Sequence, residues 1–136
     1  MTNFKEKGGV NEVNARIVVP VLDEKGIDAQ LSEHFGRAPY FVIIDLDDEG
    51  HVIGQGTISN TSEHFGGVGN PSDRILQLQP RALITYGMGP RALRLFQNAG
   101  VAVLRSDVNN VREAVRAYNN NELEELTHGC HHARHP

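Results

Sequence analysis

The sequence predicts one α/β domain of three layers, in which a mixed β-sheet lies between helices. The first half of the chain contains apolar runs separated by turn signals, which is typical of strands joined by hairpins. The second half alternates helical and strand patterns, which is the order found in α/β domains. A chain of 136 residues has the length of a single domain and can bury an adequate core. We expect the element order β-β-β-α-β-α-β-α.

Three short apolar runs predict the strands of the first half. Residues 16–21 are almost all apolar and predict a buried first strand. Residues 40–46 predict a second strand, and an acidic turn leads from it to a third over residues 51–58, antiparallel to the second. Two glycines within this third strand, Gly54 and Gly56, indicate a bulge.

Helix-start and helix-stop signals divide the second half. Asn70 can cap a helix that begins at Pro71, because proline is favoured at the first helical position. A second helix is predicted over Pro90–Asn98 and ends at Gly100, since glycine favours the conformation that follows a helix. Short apolar runs predict two more strands, over residues 82–86 and residues 101–104.

The last predicted helix begins near Asn110, where Asn110 and Glu113 have the spacing of a capping box. Its apolar residues follow a helical period and predict one buried face, formed by Val111, Ala114, Val115 and Tyr118. Three asparagines weaken the helix after this face. Residues 122–126 either extend the helix or form a short turn.

Composition and charge limit the kinds of partner. The chain is 39% hydrophobic and 22% charged with a formal net charge of −4, so we do not expect it to bind nucleic acid. No apolar run approaches the ~20 residues that span a bilayer, and the first residues lack the apolar region of a secretory signal. We therefore expect a cytoplasmic protein. The single cysteine, Cys130, excludes an intrachain disulfide.

The chain divides into three segments by composition. Residues 1–15 are polar and without periodicity, so we expect a flexible N-terminal extension. Residues 16–126 form the α/β domain. Residues 127–136 form a flexible tail, which holds possible metal donors at His128, Cys130, His131, His132 and His135. Such a tract is typical of metal binding, and a polar tail that captures metal only by chance is the alternative.

A pentapeptide, Ser-Glu-His-Phe-Gly, occurs twice, at residues 32–36 and residues 62–66. Histidine offers a neutral nitrogen to a metal, and glycine lets a ligand approach the main chain. The alternatives are chance and a histidine that only covers the edge of a core. We interpret the two copies as loops that present His34 and His64 to a shared site, which the topology places at the carboxyl ends of the strands.

The turn Gly87-Met88-Gly89 is a third candidate segment, expected at the same end of the sheet. It leads into a helix, and the free N–H groups and the dipole at a helix N-terminus favour an anion. Arg37 and Arg91 lie next to these loops in sequence and can neutralise an anionic ligand, although each alone is more often a solvated surface residue. Met88 offers a thioether sulfur or simply fills the space beneath the turn.

These segments together resemble the dinitrogenase iron–molybdenum cofactor-binding family, of the NifX and NifB C-terminal type. The resemblance covers residues 16–122 and is most specific in residues 32–41, followed by Asn60 with His64 and by the turn over residues 87–92. It implies a ribonuclease-H-like fold that carries metal–sulfur cofactors or their precursors. The residues expected at the cofactor are His34, Phe35, Gly36, Arg37, Asn60, His64, Gly87, Met88, Gly89 and Arg91.

We therefore expect a protein that binds, carries or stores an iron–molybdenum cofactor, another iron–sulfur or molybdenum-containing cluster, or a precursor. A cluster brings its own sulfides, so a few donors suffice, namely His34, His64 and Cys130, with Met88 as a weaker candidate. Its expected partners are proteins that donate and accept the cluster. We expect no enzymatic activity, because the sequence contains no Ser-His-Asp arrangement, Walker loop or zinc-protease helix motif.

Two alternatives stand beside the cluster carrier. One is a chaperone or sensor for nickel, zinc or copper ions that acts through the tail. The other is a regulator that binds an anion such as phosphate at the turn over residues 87–91.

Overall fold

The computed structural model of the protein describes residues 12–60 and 71–127. Its strands are β1 Ala15–Val21, β2 Tyr40–Leu46, β3 Val52–Ser59, β4 Ala82–Thr85, β5 Ala102–Arg105 and β6 Glu124–Glu125. Its helices are α1 Pro71–Leu76, α2 Pro90–Asn98 and α3 Val111–Asn119, with a short 3-10 helix over Gly26–Asp28. The strands form one mixed sheet in the order β3-β2-β1-β4-β5-β6. The predicted α/β class with a mixed sheet is confirmed.

Strand direction determines which loops meet. β4 runs parallel to β1, and β5 runs parallel to β4, whereas β2 is antiparallel to both of its neighbours, β1 and β3. Val21, the last residue of β1, pairs with Tyr40, the first residue of β2, and Tyr40 pairs with Ser59, the last residue of β3. We call the side where β1, β3, β4 and β5 end the carboxyl end of the sheet.

Helices cover both faces of the sheet, α3 on one face and α1 and α2 on the other, which makes three layers. Ile17 and Val19 of β1 belong to the core under α3, and Val18 between them belongs to the core under α1 and α2. Because both faces are covered, β1 is apolar along most of its length, as predicted. The predicted face of α3 is present, with Val111, Ala114 and Val115 buried and Tyr118 partly buried.

Two predicted helix ends are confirmed. The Asn110 side chain accepts a hydrogen bond from the N–H of Glu113 at 2.9 Å and so caps α3. Gly100 follows α2 with a φ of +79°, a left-handed conformation that glycine adopts without strain. The predicted cap of α1, Asn70, lies outside the described residues, and α1 begins at Pro71 as predicted.

The end of the domain differs from the prediction. Residues 122–126 do not extend α3 and form more than a turn, because Glu124–Glu125 pairs antiparallel with β5 as a sixth strand. Asn121 takes a left-handed φ of +57° after α3. Two exposed glutamates carry no strand pattern, so the free edge of β5 is what orders them, and a short charged strand protects such an edge. The predicted order therefore gains a final strand.

The described chain ends at the side of the sheet opposite to the carboxyl end. The N–H of Leu126 donates to the carbonyl of Val103, near the start of β5, at 2.8 Å. The carbonyl of Leu126 accepts from the Gln97 amide, in the last turn of α2, at 3.3 Å. Thr127 therefore lies beside the beginning of β5, whereas the carboxyl end is where β5 finishes.

Several predicted features lie outside the described residues, namely most of the N-terminal extension, the second histidine loop and nearly all of the tail. Within the described ranges, no helix has the length and apolar character needed to cross a membrane.

Candidate functional site

A cavity of about 510 Å³ opens at the carboxyl end of the sheet. Two loops that are distant in sequence line it: residues 33–37, which lie between β1 and β2, and residues 86–89, which follow β4. Pro71 and Ser72 in α1 and Ala92 in α2 complete the lining. The two loops meet because β1 and β4 are adjacent parallel strands whose carboxyl ends lie side by side.

Phe35 anchors the first loop in the core. It is 5% exposed, and its ring centroid lies 5.5 Å from the ring centroids of both Phe41 and Phe96. Its neighbours His34 and Gly36 are exposed. The apolar ring therefore holds the loop against the core while the adjacent imidazole remains accessible at the cavity.

A buried hydroxyl shapes the same loop. The Oγ of Ser32 donates to the carbonyl of His34 at 3.0 Å and accepts from the N–H of His34 at 3.2 Å. The N–H of Ser32 in turn donates to the carbonyl of Pro20 in β1 at 2.9 Å. The main chain of His34 is thus tied to β1 through Ser32.

Asn60 holds the far end of this loop and is not among the residues that line the cavity. Its Nδ2 donates to the carbonyls of Gly36 at 3.1 Å and Ala38 at 2.8 Å. The main-chain carbonyl of Asn60 accepts a hydrogen bond from the guanidinium of Arg74 in α1. Asn60, expected at the cofactor, therefore contacts the loop that carries His34 and links it to β3 and α1.

The second loop joins β4 to α2. Thr85 is fully buried, and its Oγ1 donates to the carbonyl of Gly87 at 3.0 Å and accepts from the N–H of Gly87 at 3.4 Å. Met88 is 3% exposed and belongs to the core under α1 and α2, so it fills space beneath the turn and also borders the cavity. Gly89 caps α2 in an extended conformation and brings no side chain to the first N–H groups of the helix.

The start of α2 directs its free N–H groups toward the carboxyl end of the sheet. Pro90 has no N–H, and the first bond of the helix is donated by Leu93 to the carbonyl of Gly89 at 3.0 Å. The N–H groups of Arg91 and Ala92 precede this bond and have no helical acceptor. Together with the helix dipole, they favour a negative charge at this position.

Two other cavities adjoin the main one. A cavity of about 230 Å³ shares Glu33, His34 and Tyr86 with it, so His34 lies between the two. A cavity of about 530 Å³ lies along α1 and α2 and is lined by Arg91. Arg91, expected at the cofactor, therefore borders the neighbouring cavity.

Tyr86 lines the main cavity, and sequence reasoning did not single it out. Its hydroxyl donates to the carbonyl of Val108 at 3.1 Å. Burial raises the pKa of Tyr86 above the usual 10.0, and the carboxylates of Glu33 and Asp107 add to the rise. The phenol is therefore neutral at physiological pH. Its place directly before the glycine turn was the signal available in the sequence.

Most of the predicted site residues in the described part of the chain meet at this cavity, namely His34, Phe35, Gly36, Arg37, Gly87, Met88 and Gly89. Asn60 and Arg91 lie beside it. The other predicted ligands fall outside the described residues: His64, His128, Cys130, His131, His132 and His135.

The soft donors among the described residues that line the cavity are the imidazole of His34 and the thioether of Met88. A separate group, Asp47, Glu49 and His51, has possible ligand atoms within 4.8 Å of one another. This group forms the turn between β2 and β3, at the opposite end of the sheet. The Oδ1 of Asp47 accepts from the N–H groups of Glu49 and His51, each at 2.9 Å, so the turn itself accounts for the arrangement.

Comparison with known sequences gives one family. The family model described as "Dinitrogenase iron-molybdenum cofactor" matches residues 16–121. An uncharacterized protein of Methanocaldococcus jannaschii is 28% identical over 113 residues, which cover 82% of this chain and 91% of that protein.

Solved structures show the same fold. The NMR structure of a candidate NifB protein of Thermotoga has a TM-score of 0.68 at 27% identity, and the match covers 85% of this chain and 97% of that chain. The apo form of the orange protein of Desulfovibrio gigas has a TM-score of 0.68 at 24% identity, covering 88% of this chain and 98% of that chain.

Proposed function

Because the chain belongs to the dinitrogenase iron-molybdenum cofactor family, we propose that it binds and carries a metal–sulfur cluster, or the precursor of one, in the cavity at the carboxyl end of the sheet. The cluster is cargo, and the protein performs no reaction on it. The carrier unit is the domain over residues 16–126, with a ribonuclease-H-like fold. A mixed sheet in which β2 and β6 run against the other strands supports that fold.

The observation that supports this function best is the meeting of the His34 loop and the Gly87-Met88-Gly89 turn at one cavity. Its volume of about 510 Å³ lies within the roughly 300–1,000 Å³ that is usual for small-ligand sites. The lining combines apolar surface, such as Phe35, with a few polar groups, which is the usual composition of a binding site.

The charges around the cavity suit an anionic cargo. The free N–H groups at the start of α2 favour negative charge, and the exposed guanidinium of Arg37 lies in the lining of the same cavity. Glu33 contributes the opposite charge on the side shared with the small cavity. An anion would therefore bind toward Arg37 and α2, away from Glu33.

The donor set suits a cluster better than a bare ion. A bare transition-metal ion in a protein usually takes three or four protein ligands. The lining offers the imidazole of His34, the carboxylate of Glu33 and the buried thioether of Met88. Among the described residues, however, the histidine and acidic side chains grouped closely enough to hold an ion lie at the opposite end of the sheet and are Asp47, Glu49 and His51. A cluster brings its own sulfides and needs fewer protein donors. We propose His34 as the metal ligand from the described part and His64 as a second ligand from the other histidine loop.

Cargo exchange requires proteins that deliver the cluster and receive it. The lining residues His34 and Arg37 are exposed, so the cavity is accessible from solvent for such an exchange. The chemistry of these partners follows from the cargo: they hold the same anionic cluster before and after this protein does.

The first test is metal and acid-labile sulfide analysis of protein purified without oxygen, followed by reconstitution with iron and sulfide. The wild type, His34→Ala and His51→Ala are compared. His51 is a matched control, because it is an exposed histidine at the opposite end of the sheet. We expect visible absorbance from bound cluster in the wild type and in His51→Ala, and a large loss of bound iron and sulfide in His34→Ala.

Full cluster occupancy in His34→Ala would show that His34 is not a ligand of the cluster. Bound nickel, zinc or copper without sulfide would contradict the proposed function as a carrier of metal–sulfur clusters. A rise in melting temperature with phosphate and with no metal–sulfur cluster would favour the anion-binding regulator instead.

A second candidate function is the capture of a transition-metal ion by the tail. The position of Thr127 favours it, because this residue lies beside the start of β5, at the opposite side from the cavity. We propose that the donors of the tail, such as His128, form a metal-capture site that acts separately from the cavity. Deletion of residues 128–136 tests this function.

A further inference from the structure

Two buried hydroxyl groups hold the two loops of the cavity in the same way. Ser32 donates to the carbonyl of His34 and accepts from its N–H, at 3.0 and 3.2 Å. Thr85 donates to the carbonyl of Gly87 and accepts from its N–H, at 3.0 and 3.4 Å. Each hydroxyl therefore closes a ring with the residue two positions later, and we call these two rings the hydroxyl latches.

Burial makes each latch specific. Ser32 is 3% exposed and Thr85 is 0% exposed, so water has little access to replace either hydroxyl. A buried hydroxyl must form its hydrogen bonds within the protein, and each of these two forms them with the main chain of the residue two positions later. The latches therefore fix the course of the main chain at His34 and Gly87 rather than merely covering it.

Each latch also joins its loop to a strand of the central sheet. The N–H of Ser32 donates to Pro20 in β1, and Thr85 is the last residue of β4. β1 and β4 are paired in parallel, so the distance between them is fixed. Because each latch bonds its loop to one of these strands, the positions of the two loops follow the positions of the strands. The distance between His34 and the glycine turn across the cavity thus depends on both hydroxyls.

We propose that Ser32 and Thr85 are positioning residues that set the affinity of the cavity for its cluster. This inference rests on the proposed function. Neither residue lines the main cavity, so neither acts as a ligand there. Ser32 acts through the main chain of His34, and Thr85 acts through Gly87 and the start of α2.

The test compares Ser32→Ala, Thr85→Val and Thr85→Ser with the wild type. Thr85→Val keeps the branched shape and removes the hydroxyl, whereas Thr85→Ser keeps the hydroxyl and is expected to restore binding. The stability control is Ile44→Val, in the fully buried core under α3, on the other face of the sheet. The probe is a cluster assembled without oxygen from iron and sulfide, and the measurement is the chelator concentration that removes half of the bound iron.

We expect Ser32→Ala and Thr85→Val to bind the cluster roughly 10- to 100-fold more weakly, the range seen when groups that orient a metal ligand are removed. Ile44→Val is expected to lower the melting temperature without changing the affinity. Unchanged affinity in both hydroxyl variants, or the same loss in Ile44→Val, would overturn the proposal.

Amide hydrogen exchange of the protein without cluster tests the latches independently. The N–H of Gly87 is expected to exchange faster in Thr85→Val, and the N–H of His34 is expected to exchange faster in Ser32→Ala. Unchanged exchange at both amides would show that the two hydroxyls do not hold the N–H groups of His34 and Gly87. A wild type that binds no cluster overturns the proposed function, and the positioning role with it, while faster exchange in the variants would still show that the hydroxyls hold the loops.

Discussion

The side-chain amide of Asn60 donates to the carbonyl of Ala38 at 2.8 Å and thereby joins the end of β3 to the loop that carries His34. The same Nδ2 also donates to the carbonyl of Gly36 at 3.1 Å. One amide group therefore holds two carbonyls of a loop that borders the cavity. Ala38 is 1% exposed, so its carbonyl has little access to water as a substitute partner.

Asn60→Ala is expected to lower the free energy of unfolding by about 1–3 kcal/mol, the usual cost of leaving a buried polar group unpaired. Urea denaturation measures this change. Because the freed loop carries His34, cluster affinity should fall as well. Asn119→Ala is the control, since the Asn119 amide donates to the carbonyl of Gly50 at the opposite end of the sheet. Equal cluster affinity in Asn60→Ala and Asn119→Ala would argue against a role for Asn60 at the loop.

Phe35 and His34 are neighbours with different roles, and substitution should separate them. Phe35→Ala is expected to lower the free energy of unfolding by about 3–5 kcal/mol, because the ring packs against Phe41 and Phe96 in the core. His34→Ala is expected to change stability by no more than about 0.5 kcal/mol, because His34 is exposed. Chemical denaturation of the two variants checks both values. A stability loss of similar size in both would show that the imidazole is part of the core.

Asp47 makes stability depend on acid. The N–H of His51, followed by that of Glu49 and by the nearby imidazole of His51, lowers the pKa of Asp47 below the usual 3.8, while burial opposes the shift. A carboxyl with a lowered pKa in the folded state contributes stability above its unfolded pKa and loses it as pH falls through its folded pKa. Asp47→Asn should therefore be less stable than the wild type at pH 7, and the difference should shrink below pH 3.8.

Urea denaturation of both proteins at neutral and acid pH measures this difference. Asp48→Asn, on the same turn, is the control, because the turn bonds described above are accepted by Asp47. A difference between wild type and Asp47→Asn that stays constant down to acid pH would rule out the carboxylate as its source.

Tyr86 should titrate at a higher pH than an exposed tyrosine. Burial, with the charges of Glu33 and Asp107, raises the pKa of Tyr86 above 10.0. Since the folded pKa is raised, the contribution of the neutral phenol to stability is present below pH 10.0 and is lost as pH rises through the folded pKa. Ultraviolet titration of the wild type and Tyr86→Phe isolates the phenolate signal. A difference spectrum with a midpoint at or below pH 10.0 would contradict the predicted shift.

Deletion of residues 128–136 separates the tail from the cavity. The variant that lacks residues 128–136 is expected to lose most of its affinity for nickel and zinc ions, because the deletion removes four histidines and the single cysteine. Its reconstitution with iron and sulfide should be unchanged, since Thr127 lies at the opposite side from the cavity. Calorimetric titration with nickel and iron–sulfide analysis make the two measurements. Loss of the cluster on deletion would instead place tail donors at the cavity.

Local sequence chemistry predicted most of the elements because their signals lie within a few residues. β2 and α2 have the predicted bounds, and Asn110 caps α3 as its spacing with Glu113 indicated. β6 could not be predicted in this way. Glu124–Glu125 is ordered by the free edge of β5, and nothing in its own residues indicates a strand.

The candidate site was predictable in outline and not in its contacts. Parallel strands end on the same side of a sheet, so the His34 loop and the Gly87 turn were expected near each other. The sequence did not show that Asn60 bonds to the loop, since this contact joins β3 to residues before β2. Nor did it show the roles of Ser32 and Thr85, because a serine or threonine at a strand end has many possible partners.

The sequence by itself determined the α/β class, the order of most elements and several of the histidine, glycine and arginine residues that line the cavity. Tertiary structure alone decided that Phe35 points into the core while His34 remains exposed. It also decided which hydroxyls and amides hold the loops. The physical reason is that propensity and capping act between near neighbours, whereas burial and hydrogen-bond partners depend on residues that only the folded sheet brings together.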